Sequence, residues 1–340
     1  MTGIERTMAA INGQSTDRPP FDFWAEEATL NRLFAHLGHR DLERFLDEMQ
    51  VDIRGFQAGE PAYKKLENGF YENMWGERFT YNKDEWGDVR EDTLGALHKA
   101  ESLDEIMAFS WPENDVMDYS KLRTQIAKAR EKKLAVRYGF ADIWQRPALV
   151  RGLENHLMDM YINPEWVHYL SRIFTDFYKE EYTRAWEVSG GEIDIFLVIS
   201  DMGSQKGPLF SVEMFNEFVA PYLLEITDLV HSFGAKAMMH SCGDISIFIP
   251  HIINCGIDIL NPIQPISENM SPKYLKSYKI CFHGGIDIQQ LLPKGSPEEV
   301  QKEVRRYAEE FGTKYISCPA HLFQPDTPPE NIIAFYSSYK

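Results

Sequence analysis

Short apolar runs begin near residues 21, 51, 134, 193, 235, 257, 279 and 313, and each is set off from the next by polar or helical-period segments. Runs of four to eight apolar residues bounded by turn signals read as strands, and a nearly continuous one such as residues 193–200 reads as a strand buried on both faces. Between them, apolar residues recur at helical spacing over 26–37, from 41 onward, and over 119–132, 147–160, 164–189, 211–233, 244–254, 271–277 and 296–311. Eight strands alternating with helices predict an α/β fold, the parallel (β/α)8 TIM barrel. A helix over 3–12 precedes the first strand and stops at Gly13 and the turn residues up to Pro19 and Pro20. The loop 324–331 leads into a C-terminal helix, with Thr327 the expected cap and prolines at its start.

The rhythm changes over residues 57–112, where Gly-punctuated aromatic segments such as Phe70-Tyr-Glu-Asn-Met-Trp75-Gly and Phe79-Thr-Tyr81-Asn-Lys-Asp-Glu-Trp86-Gly alternate like antiparallel hairpins. This is expected to be an insertion after the second strand that forms a rim or lid, its aromatic residues packing on the barrel or lining a pocket. At 340 residues the chain is within the range of a barrel with insertions, so one domain over 1–340 is expected.

Charge changes the picture by exclusion. A formal net charge of −17 argues against nucleic acid and against an anionic membrane surface, both of which are bound through basic patches. No apolar run is long enough to span a bilayer. The 4 cysteines, at 242, 255, 281 and 318, stand at wide, unpatterned intervals and imply no disulfide framework, so a reduced, cytoplasmic protein is expected.

In a barrel of this kind chemistry sits at the carboxyl ends of the strands. The residues there form an unusually polar set: Asp142, Asp201, Gln205, His240, Cys242, Asn261, Gln264, His283, Asp287, Cys318 and His321. His240 and Cys242 lie two apart at the end of the fifth strand, so they point the same way, and imidazole with thiolate is a donor mixture that suits zinc. The bland alternative is a core cysteine beside a hydrogen-bonded histidine. A third ligand would come from the eighth strand, where both Cys318 and His321 qualify; Cys255 and Cys281 look like core thiols. Gly284-Gly285 could approach a phosphate through backbone amides, although a turn requiring positive φ explains the pair as well.

The chain resembles the uroporphyrinogen decarboxylase superfamily. The matching segments are Ala10-Ile-Asn-Gly-Gln-Ser-Thr-Asp-Arg-Pro-Pro20, Ser200-Asp-Met-Gly-Ser-Gln-Lys-Gly-Pro208, His240-Ser-Cys-Gly-Asp, Gly256-Ile-Asp-Ile-Leu-Asn-Pro262, Phe282-His-Gly-Gly-Ile-Asp-Ile288 and Pro325-Asp-Thr-Pro-Pro-Glu-Asn331. The resemblance implies a (β/α)8 barrel and two chemistries, metal-free decarboxylases and zinc-dependent corrinoid methyltransferases. The decarboxylases follow Arg-Pro-Pro with an arginine-rich segment for porphyrinogen carboxylates, whereas Pro20 here is followed by Phe-Asp-Phe-Trp-Ala-Glu26-Glu27. His240-x-Cys242 is similar to the methyltransferase branch, in which a later cysteine follows. Counted back from Pro325 and Thr327, that family cysteine falls on His321, with Cys318 three residues earlier.

The resemblance implies Zn2+ as cofactor and cobalamin carried by a partner corrinoid protein, with a small-molecule methyl donor or acceptor; the sequence leaves open whether the chain forms a homodimer. Asp201 and His283 are the residues expected to transfer a proton or orient the substrate. Two rivals stand beside this: a metal-free decarboxylase acting on another substrate through Asp201 or Asp142, and a non-catalytic barrel whose structural zinc is closed by both Cys318 and His321.

Overall fold

Seven parallel strands curl around a shared interior in the computed structural model of the protein, which describes residues 1–67, 69–84, 87–265 and 267–340. In chain order the strands are β1 (Ile53–Phe56), β2 (Lys64–Lys65), β3 (Tyr71–Glu72), β4 (Arg78–Asp84), β5 (Gly87–Leu94), β6 (Ala135–Asp142) and β7 (Ile195–Ile199). They continue with β8 (Gly203–Ser204), β9 (Gly207–Pro208), β10 (Lys236–His240), β11 (Ile259–Ile263), β12 (Cys281–Gly284) and β13 (Tyr315–Ile316). The main sheet runs β1-β6-β7-β10-β11-β12-β13 with every neighbour parallel.

Residues 20–25 supply the eighth member. Phe21 bridges Ser317 and Ala25 bridges Phe323, both in parallel. The Asp22 N–H donates to the Ser317 carbonyl at 3.1 Å and the Asp52 N–H to the Phe21 carbonyl at 2.9 Å, so the segment joins both edges and closes the barrel. Pro19 and Pro20 have no N–H to give, which leaves isolated bridges where the other strands make ladders.

The strand period of two sorts side chains between two cores. Trp24, Ile53, Ile195, Leu197, Met238, Ile259, Cys281 and Ile316 meet in the barrel interior. Their neighbours Phe196, Val198, Met239, Leu260, Phe282 and Tyr315 face outward against the helices. By the same count Arg137, Asp201, His240, Asn261, His283 and Cys318 fall on the inner side, two or four residues beyond an inward apolar position.

Three helices differ from the periodicity. The span 147–160 is two helices, Gln145–Arg151 and Leu153–Ile162, because Gly152 between them has a φ of 86°. The span 211–233 divides into Val212–Phe218 and Ala220–Ser232, with Pro221 at the start of the second. Instead of 244–254, the helix runs Ile249–Asn254 after a 3-10 turn, since residues 241–244 are held as a loop. The expectation that Thr327 caps the last helix is also corrected. Pro328 is the capping position of Pro329–Tyr336, and the buried Thr327 hydroxyl has no hydrogen-bond partner.

Within 57–112, β2 to β5 form a separate antiparallel sheet after β1. Its aromatic residues pack rather than gape: Tyr63, Tyr71 and Tyr81 surround the buried Phe79, and the Arg90 guanidinium lies 4.0 Å over the Phe79 ring. Trp75 packs on Phe174 and Phe177 of the long helix Pro164–Ser189. Trp86 lies outside the described residues.

Candidate metal centre

At the carboxyl ends of β10 and β13, the ligand atoms of His240, Cys242 and His321 all lie within 4.8 Å of one another, the one convergent group of three or more metal-ligating side chains among the described residues. His240 is buried, while Cys242 and His321 are half-buried. Its Nε2 stands 3.4 Å from the Cys242 Sγ. Zinc bonds of about 2.0–2.1 Å to nitrogen and about 2.3 Å to sulfur in tetrahedral geometry separate two donors by roughly 3.3–3.6 Å, so the donor types and the His240–Cys242 spacing fit that ion. The His240 and His321 rings meet edge to face at 5.3 Å, and Trp24 stacks on His240 at 5.9 Å.

The loop carrying Cys242 is clamped from three sides. Its N–H donates to Asp201 Oδ1 at 2.7 Å, the Gly243 N–H donates to Gln264 Oε1 at 2.7 Å, and the Ser241 N–H donates to the Asn261 carbonyl at 2.8 Å. Gly243 has a φ of 87°, and a Cβ there would stand 2.4 Å from the Gly203 carbonyl carbon, so this close approach to β8 demands glycine. Burial and the Asp201 carboxylate both push the Cys242 thiol well above the ordinary range, which means a thiolate here needs a cation beside it. Burial pushes His240 and His321 below the ordinary imidazole range, so both are neutral, as ligands must be.

Of the two candidates from the eighth strand, His321 lies in this group and Cys318 does not. Cys318 is 0% exposed and sits in the barrel interior with Ile316 and Trp24. It continues the inward parity of β13, two residues past Ile316, and so points into the interior layer. His321, beyond the end of the strand, is free to turn to the mouth. With Cys318 absent, the group offers three ligands rather than a closed set of four. Cys255 and Cys281 are buried free thiols.

His283, expected at the substrate, is fully buried behind Asn261 and does not line the opening. Asp201 keeps 29% of its side chain exposed, 3.6 Å from His240 Nε2, and Gln145 donates to its Oδ2 at 3.3 Å. Asp142 is buried, with one carboxyl oxygen unpartnered, and burial pushes it up to about 7 against the pull of Arg146. Gln205 and Asp287 line a cavity of about 340 Å³ together with Gln264, Pro265, Gln289 and Gln290. Gly284 and Gly285 have φ of 99° and 109°, and a Cβ on Gly285 would meet the Tyr307 ring at 2.5 Å, so backbone conformation and packing account for the pair.

Sequence reasoning missed Asp22, Trp24 and Arg137. Asp22 accepts from Trp24 Nε1 at 2.7 Å and pairs with Arg137 Nε at 3.4 Å, while the Arg137 guanidinium lies 4.4 Å over Trp24. The available signal was an aspartate at an inward position of the Phe21–Trp24 run, where an apolar residue would be expected.

A closed barrel with polar and metal-ligating residues gathered at one mouth defines the class, and residues 144–340 match the uroporphyrinogen decarboxylase (URO-D) family. The chain belongs to that family. The methylated-thiol–coenzyme M methyltransferase of Methanosarcina mazei is 28% identical over 199 residues, 56% of this chain and 49% of that protein, so the match spans about half of the relative's length. A solved structure described as a methyltransferase from Methanosarcina mazei superposes with a TM-score of 0.74 at 15% identity, covering 99% of this chain and 98% of that one, a likeness of fold. No helix among the described residues is long and apolar enough to cross a membrane.

Proposed function

We propose that the protein is a zinc-dependent methyltransferase that moves a methyl group between a small molecule and the cobalamin of a separate corrinoid protein. The observation that carries this reading is the convergence of His240, Cys242 and His321 at the barrel mouth. Similarity to a methyltransferase relative within the family supports it, and the corrinoid partner follows from the resemblance of His240-x-Cys242 to the zinc-dependent branch.

His240 Nε2, Cys242 Sγ and a ring nitrogen of His321 would hold the ion. Zinc supplies Lewis acidity there, and a set with two neutral imidazoles and one thiolate leaves it more electrophilic than a two-thiolate set, which suits polarising the leaving oxygen, nitrogen or sulfur of a methyl donor. Asp201 holds the Cys242 turn through one oxygen and orients the substrate with its exposed edge. The cavity beside Gln264 receives the small molecule, since Gln264 both lines it and reaches Cys242 Sγ at 3.8 Å. The β2–β5 sheet forms the rim.

Metal analysis after expression with zinc should find about one ion per chain. The zinc-loaded protein, mixed with a reduced corrinoid protein and a panel of methoxy, methylamine and methylthiol donors, should then change the visible spectrum of the corrin with one donor class. Protein that takes up no zinc under these conditions would overturn the reading in favour of the metal-free decarboxylase.

A further inference from the structure

Four buried side chains on the inner side of the barrel, three from the adjacent strands β10, β11 and β12 and one from residues 20–25, form one hydrogen-bonded line that ends at the metal group. His240 Nδ1 lies 2.5 Å from Asn261 Oδ1, Asn261 Nδ2 lies 2.6 Å from His283 Nδ1, and His283 Nε2 lies 3.1 Å from Asp22 Oδ2. Asp22, His240, Asn261 and His283 are each at most 4% exposed, so water does not compete for these contacts. The strand register makes the line: His240 pairs with Asn261 across β10 and β11, and Ile259 pairs with Cys281 two residues before Asn261 and His283.

The direction of every bond follows from its far end. Burial opposes ionisation of Asp22, but Arg137, His283 and the Trp24 N–H outweigh it and hold the carboxyl down to about 2. An ionised carboxylate accepts and cannot donate, so His283 Nε2 carries the hydrogen. Arg137 already supplies the countercharge of Asp22, and burial favours the neutral imidazole, so His283 Nδ1 is a bare acceptor. Asn261 must turn its NH2 toward that nitrogen and its oxygen toward His240. His240 Nδ1 then carries the hydrogen, which leaves the lone pair of Nε2 facing Cys242 and His321. Reversing any link would flip the amide and put a hydrogen on Nε2, where no metal could bind.

We propose that Asn261 and His283, anchored by Asp22, are positioning residues that fix the tautomer of His240 so that its Nε2 lone pair is presented to the metal group. The inference rests on the metal reading of the site for its consequence, and on the hydrogen-bond line alone for the tautomers. Partners of metal-ligating histidines commonly change affinity by 10- to 100-fold when removed.

Two measurements test it. Long-range 1H–15N correlation spectra of 15N-histidine-labelled, zinc-free protein should show His240 with hydrogen on Nδ1 and His283 with hydrogen on Nε2; the opposite tautomer at either ring would overturn the proposal. Chelator competition should find zinc affinity reduced about 10- to 100-fold in Asn261→Leu and His283→Leu. His283→Gln should recover most of it, because its amide presents an acceptor toward Asn261 and a donor toward Asp22 in the same order. Leucine variants with wild-type circular dichroism and wild-type zinc affinity would refute the positioning role. If those variants do not fold, the tautomers of the unaltered protein decide. A wild-type chain that binds no zinc sinks the methyltransferase reading without touching the tautomer result, so the two failures are told apart.

Discussion

Replacing Cys318 by Ser and His321 by Ala separates the two residues that the spacing left in competition. Binding energies of roughly 10–16 kcal/mol for a four-ligand zinc site amount to about 2.5–4 kcal/mol per ligand. At 1.4 kcal/mol per decade, His321→Ala should therefore weaken zinc on the order of 10²- to 10³-fold. Cys318 lies in the apolar interior with Ile316 and Trp24, outside the ligand group, so Cys318→Ser should leave zinc affinity within a few-fold of wild type. Its cost is folding stability, since an unpaired hydroxyl in that interior loses about 1–3 kcal/mol. An unfolding entropy of about 2.1 cal/mol/K per residue over 340 residues makes this a fall in Tm of roughly 1.5–4 °C. Competition against a chromophoric chelator reads the first quantity and a thermal scan of the zinc-free protein the second. Loss of zinc in Cys318→Ser with retention in His321→Ala would refute the assignment of the ligand group and restore the two-thiolate set.

Glu181 is buried against the Tyr138 hydroxyl, and burial pushes it up to about 7 from an ordinary 4.5. A raised folded pKa stabilises below about 4.5 and loses that contribution as pH rises toward 7, so Glu181→Gln should flatten the pH dependence of denaturant stability across this window, by roughly 3 kcal/mol. Gly243→Ala should lower both zinc affinity and Tm, because its Cβ has no room against Gly203 and its φ of 87° strains any side chain; an unchanged chelator titration would contradict the clamped-loop geometry. Trp75→Ala, which empties the contact with Phe174 and Phe177, should cost about 3–5 kcal/mol in urea unfolding while zinc affinity stays at the wild-type value. Uroporphyrinogen should be neither bound nor decarboxylated, because Arg18-Pro-Pro20 is followed by a segment with Glu26 and Glu27 and no arginine to pair with its carboxylates; formation of coproporphyrinogen at an enzymatic rate would overturn this.

The alternation of strands and helices was legible along the chain, because apolar runs at period two and helical stretches at period 3.6 are local patterns. The sequence also singled out His240 and Cys242 as a pair two residues apart, but the strand stops at His240 and Cys242 is brought beside it by a loop held on Asp201, which strand parity alone does not give. The short pairing of residues 20–25 was legible as a strand from Phe21 to Trp24, though not its reduction to bridges, which depends on where the Pro20 carbonyl meets Ser317. Which of Cys318 and His321 comes to lie beside His240 and Cys242 is a matter of tertiary structure, not of spacing. Inward parity carries Cys318 past Ile316 into the interior, while His321 lies beyond the strand, where no period governs direction and the turn back toward His240 is set by packing. The line from His240 through Asn261 and His283 to Asp22 joins residues from four barrel segments, up to 261 positions apart in the chain. Only strand register brings such residues into one layer, and register is a property of the closed barrel rather than of any segment in it.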